Sequence, residues 1–353
     1  MKISNAITKI VKFYEADVTV PIWLAGPPGI GKSDGVRQAR DQIAERTGST
    51  LGLVDFRASL RDPTDLVGFP EIRDGITHFA QPNFLPREGT HPERGILFLD
   101  ELAQASPMVQ AACLQLCLDR KIADYELPAG WQIVAASNRR EDKAGANRII
   151  TPLIDRFAYY EVEPDLPSWQ VWALGSGVDL LVRSFLNFKP TAFSSFDPKG
   201  SELVFASPRS WAMLSKVLPV CSAADRRETA EGIVGRGAAT EFEAFVLNAE
   251  KLPDLDDVIA NPNGYPVPDG EPSVMYALCA AIGERAKAVA RKEQDTGAAL
   301  MRYALRFSEE FQILAMRDLI RADRSLMTLA EASEWVAKNA SLLEAIGKKN
   351  AKQ

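Results

Sequence analysis

GPPGIGKS, Gly26 to Ser33, follows directly on the apolar run VPIWLA. It fills every required position of G-x-x-x-x-G-K-[S/T], the pattern of a phosphate-binding loop. Gly26 and Gly31 let the backbone turn tightly and approach phosphate oxygens closely. Pro27, Pro28, Gly29 and Ile30 complete the cradle. The next stretch, DGVRQARDQIAERTG, reads as a helix whose first N–H groups point at the phosphates. Lys32 is placed to reach the outer phosphates, and the Ser33 hydroxyl to ligate magnesium. A Gly/Pro-rich turn has a similar composition, but strand-loop-helix is the context a phosphate loop needs.

Outward from this loop, short apolar runs read as buried strands: Val18–Ala25, Leu51–Ala58, Gly95–Asp100, Trp131–Ser137 and Phe157–Val162. Their continuous apolarity suits a parallel sheet covered on both faces. Helical patterns lie between some of them. The clearest begins at Ser106-Pro107, an N-cap followed by proline at the first helical position. Alternating strands and helices predict an α/β domain over residues 1–163. Gly68–Pro86 interrupts it with a turn at Arg73-Asp74-Gly75, which predicts an inserted β-hairpin. After residue 163 the patterns are mainly helical. The Pro-rich stretch Asn261–Pro272 divides them into a lid, 164–260, and a C-terminal helical segment, 261–353. The tail GKKNAKQ is small and basic.

ILFLDELAQA, residues 96–105, ends a buried strand in Asp100 and Glu101. Ligands of open α/β sheets bind outside the carboxyl ends of the strands, so this pair should face the phosphate loop. Asp100 is suited to the magnesium site and Glu101 to polarising a water toward the terminal phosphate. WQIVAASNRRED places Asn138 at another strand end. A carboxamide there could hold the attacking water or the terminal phosphate; an ordinary Asn turn has the same local sequence. TPLIDRF presents Arg156, a guanidinium that could serve a neighbouring subunit's phosphate. FASPRSW starts a helix at Ser207-Pro208 with Arg209 in its first turn, where an anion would offset the unfavourable cation.

The order GPPGIGKS, ILFLDE, ASN, LIDRF, SPR resembles the AAA+ ATPases, specifically the MoxR-like group of the dynein-related type, over residues 18–215. The resemblance implies a Walker A motif at Gly26–Ser33, Walker B at Ile96–Glu101 and a sensor-one Asn138. It also implies an arginine finger at Arg156, acting on the adjacent subunit's nucleotide, and a sensor-two Arg209 in the helical lid. The implied activity is ATP hydrolysis with magnesium in a homo-oligomeric ring, a hexamer by family expectation. The ring would remodel or activate a protein client, alongside a partner with a von Willebrand factor A domain. Arg139, Arg140 and Arg148 compete with Arg156 for roles at the subunit interface. Phe69, Phe79 and Phe84 of the insert could contact a substrate in a central pore, although packing the insert is the favoured role. The segment after residue 220 carries no specific motif.

Composition narrows the classes. At 353 residues the chain can hold two or three domains, and its net charge of −6 argues against a chain-wide nucleic-acid footprint. A nucleic-acid motor or loader is the main rival; a P-loop small-molecule kinase and a non-hydrolysing nucleotide switch are weaker ones. No apolar run approaches the ~18 residues of a membrane span. The start, MKISNAITKIVKFYEADV, reads as an amphipathic helix without a signal-peptide core, as in a cytoplasmic protein. Four cysteines and two histidines show no zinc-like spacing, which predicts reduced structural thiols.

Overall fold

A computed structural model of the chain describes residues 1–142, 147, 149–249, 252–268, 271–289 and 294–339. Arg148 and the basic tail lie outside the described residues. The chain forms two compact units, Met1–Trp172 with Phe193–Ser210, and Ala173–Ala192 with Trp211–Gln353.

The first unit is built on a five-stranded parallel sheet. Its strands are β1 (Ile22–Ala25), β2 (Gly52–Arg57), β3 (Arg94–Asp100), β4 (Gly130–Ser137) and β5 (Ala158–Glu161). They lie side by side in the order β2-β3-β4-β1-β5. Register puts Ala25 beside Ser137 and Leu99 beside Ala135, so β3, β4 and β1 end together along one edge. The three inner strands β3, β4 and β1 are apolar along most of their length because both faces are covered. Trp23, Leu97, Leu99, Ile133 and Ala135 pack on one side with Val109, Cys113 and Leu116. Ile22, Leu24, Ile96, Phe98, Val134 and Ala136 pack on the other with Ile7, Ile10, Val36 and Ile43.

Three helices supply those covers. α1 (Ile3–Glu15) and α2 (Lys32–Thr47) cover the second face. α3 (Pro107–Asp119) covers the first, with Ser106 Oγ accepting from Val109 N–H as its N-cap. The first strand starts four residues later than the sequence suggests. Val18 N–H donates to Phe13 O and so closes the end of α1, leaving Val18 and Val20 exposed. All four cysteines are free, with Cys113, Cys117 and Cys279 buried.

The inserted hairpin is present. Phe69–Arg73 pairs antiparallel with Ile76–Ala80 around Asp74-Gly75. Both turn residues have positive φ, 53° and 77°, as a two-residue hairpin turn demands. A second small hairpin, Lys121–Ile122 with Tyr125–Glu126, was not foreseen. Its turn residue Asp124 anchors the insert by accepting from Phe79 N–H at 2.8 Å. The three insert phenylalanines separate in role. Phe84 stacks on Phe56 at 5.7 Å and Phe79 is half-buried, whereas Phe69 is 63% exposed.

The second unit is helical among its described residues. Phe185, Trp211, Phe242 and Phe245 form one aromatic cluster, with ring centroids 5.3–5.9 Å apart. Leu278, Ile282, Leu300, Tyr303, Met316 and Leu319 lie in another core. Helices Leu180–Phe188 and Pro272–Val289 pack within this unit, and Arg183 Nη2 bonds Glu284. The compact units therefore divide the chain differently from the segments at 163/164 and 260/261. Residues 193–210 belong with the first unit, where Arg209 N–H donates to Gly29 O at 3.0 Å and Phe193 packs on Trp169. Among the described residues, no helix is long and apolar enough to cross a membrane.

Candidate functional site

β3, β4 and β1 are neighbours, so their carboxyl ends bring three separate sequence motifs together. β1 delivers the loop Gly26–Ser33, β3 delivers Asp100 and Glu101, and β4 delivers Asn138. Gly31, at φ 92°, precedes the first residue of α2, so the loop ends at a helix N-terminus. That geometry suits an anion, because the first N–H groups of the helix have no intrahelical acceptor.

Lys32 is 9% exposed. Its ammonium donates to Gly26 O at 2.8 Å, Pro27 O at 2.8 Å and Asn138 Oδ1 at 3.1 Å. Burial pushes its pKa down to about 8, against the opposing charges of Asp100 and Asp142 and with help from Arg209 and Arg139. At neutral pH Lys32 thus remains largely cationic. Ser33 Oγ donates to Asp100 Oδ2 at 2.8 Å, and Glu101 N–H donates to Asp100 Oδ1 at 2.9 Å. Burial raises the Asp100 carboxyl above its usual range, partly countered by those two donors.

Glu101 sits at φ 57°, a left-handed conformation uncommon for a side-chain-bearing residue and typical of functional sites. Its Oε2 accepts from Ser59 Oγ, on the segment just after β2. Sequence reading missed Ser59, since the pair is 42 residues apart and Ser59 stands in no motif. It also missed Trp23, whose Nε1 donates to Ser137 Oγ at 2.9 Å and braces the residue before Asn138.

The start of helix Pro208–Val217 lies against the loop. Gly29 has φ 76°, and a Cβ there would come within 2.7 Å of Ser207 Oγ, so only glycine fits. Ser207 Oγ accepts from Ser210 N–H at 3.1 Å, the expected N-cap. Arg209 is exposed, and its guanidinium makes no hydrogen bond or ion pair among the described residues.

Arg156 is not brought to this cluster. β5 runs parallel to β1, with Ile22 opposite Ala158 and Ala25 opposite Glu161. Arg156 precedes β5 and so lies at the amino-terminal edge of the sheet, while the loop leaves the carboxyl edge. Four residues of strand, about 13 Å, separate the two edges. Arg156 Nη1 donates to Pro152 O, and its Nε is buried without an acceptor. Of its competitors, Arg139 is held inside the chain by Asp142 at 3.0 Å, and Arg140 is exposed.

The residues present fit a magnesium nucleotide. A close-fitting loop at a helix N-terminus matches phosphate, and the Ser33–Asp100 oxygens are hard donors of the kind magnesium takes. Among the described residues no group of three or more His, Cys, Asp or Glu could hold a metal by itself. A magnesium ion here would complete its shell with phosphate oxygens and water, its usual habit.

Residues 21–157 match the family described as the AAA domain, dynein-related subfamily, and this segment carries the α/β AAA+ ATPase fold. Comparison with curated proteins finds no match. Several solved structures are similar. NtrX from Brucella abortus in complex with ADP is 14% identical, with 96% of this chain and 68% of that chain covered and a TM-score of 0.40. A RuvB mutant of Thermotoga maritima is 17% identical, covering 80% and 81% at 0.36. A DNA polymerase III gamma subunit-related protein of Thermotoga maritima is 12% identical, covering 92% and 93% at 0.30.

Proposed function

We propose that this chain hydrolyses ATP within a ring of identical subunits and uses the cycle to remodel or activate a protein client, as a MoxR-like AAA+ ATPase. The observation that carries the hydrolytic reading is the bonded cluster of Lys32, Ser33, Asp100 and Asn138, with Glu101 beside it, at the carboxyl ends of three adjacent strands.

Each side chain has a task in that reading. The loop N–H groups and Lys32 bind and orient the β- and γ-phosphates, the ammonium exchanging its carbonyl partners for phosphate oxygens. Ser33 and Asp100 would hold magnesium, which when bound neutralises charge on the transferring phosphoryl group. Glu101 would take the proton of the attacking water, and Asn138 would orient that water or the terminal phosphate. Arg209 would close over the phosphates from the start of the lid helix. Arg156, at the opposite edge of its own sheet, would serve the next subunit's nucleotide, which is why activity would require assembly.

A hexameric ring and a partner with a von Willebrand factor A domain rest on resemblance, whereas a lid at 164–260, a helical segment at 261–353 and a cytoplasmic location rest on the sequence pattern. Glu101→Gln tests the core of the reading. It should retain ATP affinity and lower turnover about 10²- to 10⁴-fold. Wild-type phosphate release would remove Glu101 from the catalytic role.

A further inference from the structure

The turn after β4 holds a buried carboxylate that none of the roles above uses. Asp142 is 2% exposed. Among the described residues its donors all come from Arg139. The backbone N–H reaches Oδ2 at 2.9 Å, Nη2 reaches Oδ1 at 3.0 Å, and Nε lies 3.3 Å from both oxygens. Asp142 N–H donates back to Arg139 O at 3.2 Å, so the turn is closed from both ends. A carboxylate this deep is costly unless paired, so the lock has a strong preference for its closed form. Glu141 adds only an exposed contact to Arg139 at 3.5 Å.

The residue before Asn138 is gripped as well. Ser137 Oγ accepts from Trp23 Nε1, and Ser137 O accepts from Gly26 N–H at 3.2 Å. Asn138 is therefore the single residue between two fixed neighbours, with its Oδ1 on Lys32 Nζ.

We propose that Asp142 is a positioning residue, which locks Arg139 and thereby fixes the direction in which Asn138 presents its carboxamide to the terminal phosphate or the attacking water. The inference rests on the reading of Asn138 above. It also gives the partly buried Arg139 a partner within its own subunit and takes it out of the set of arginines available to a neighbour. Misplacing a reacting group by about 1 Å can cost about 100-fold in rate, so a loosened turn should be felt in turnover before it is felt in binding.

The test is a double-mutant cycle read in turnover, ATP affinity and melting temperature. Asp142→Asn keeps the shape and one acceptor oxygen but removes the charge. It should lower turnover about tenfold, with ATP affinity within about twofold of wild type. In an Asn138→Ala background the same change should cost less than about twofold, because the group it positions is gone. Equal losses in both backgrounds, or wild-type turnover of Asp142→Asn, would overturn the inference. If Asp142→Asn does not fold, Arg139→Met carries the same cycle, since it keeps the backbone bond and drops only the guanidinium arm. Its expected loss is about threefold in the wild-type background and none with Asn138→Ala. Wild-type turnover of Asn138→Ala alone would instead defeat the reading of Asn138, and the inference with it.

Discussion

The two edges of the central sheet differ in how their polar groups are partnered. At the carboxyl edge Lys32, Ser33, Asp100, Glu101 and Asn138 bond to one another or to nearby backbone and serine. At the amino-terminal edge the Arg156 side chain has, among the described residues, one bond, to its own short helix, and a buried Nε without an acceptor. One edge is a site that a single chain assembles. The other presents a charge that no anion pairs with among the described residues. The contrast is what a nucleotide site shared between neighbours would look like from one subunit.

The largest expected effect strikes the less satisfied edge. Arg156→Ala should lower turnover about 10³-fold while ATP affinity stays near wild type, the size expected of a guanidinium that stabilises transferring charge. Mixed rings of Arg156→Ala and Lys32→Ala subunits should recover measurable turnover, because each variant supplies what the other lacks. No recovery in verified mixed rings would break the comparison, leaving Arg156 as a fold-maintaining residue.

The next effect falls on the satisfied edge. Lys32→Ala should weaken ATP binding about 10- to 100-fold, as loss of a charge-assisted bond to phosphate predicts. Calorimetry on the assembled protein is the measurement. Unchanged affinity would mean the three bonds of Lys32 only hold the loop together, and the phosphate assignment would fall.

Legibility in the sequence divides along a related line. The loop, the acidic strand end, the hairpin turn and the Ser106 cap each lie within a dozen contiguous residues, so spacing alone reports them. The partners that hold those residues come from distant sequence: Trp23 with Ser137, Gly29 with Ser207, Ser59 with Glu101. No periodicity marks such pairs, because the sheet order that joins them is a property of the whole fold. Arg139 is the instructive middle case. Its partner stands three residues away in RRED, an i to i+3 spacing that fits a closed turn after a strand. The paired arginines there suggest an interface, and nothing in the spacing marks Asp142 as buried beneath them. In the insert, exposure separated Phe69 from Phe84, which composition could not do.

The smallest predicted effect refines how settled the carboxyl edge is. Ser59 follows β2, and β2 lies beyond β3 on the side away from β4 and β1. Its bond to Glu101 Oε2 therefore draws the carboxylate toward the outer edge of the sheet, away from Asn138 and Lys32. That pull holds Glu101 back from an attacking water, so Ser59→Ala should raise basal turnover about threefold, a small change suited to one part-buried hydrogen bond. ATP affinity should not move, since among the described residues the Ser59 hydroxyl bonds Glu101 and neither the loop nor Asp100. Steady-state phosphate release decides the sign. A fall in turnover would make Ser59 the group that aims Glu101, and the carboxyl edge would then be poised for reaction without rearrangement.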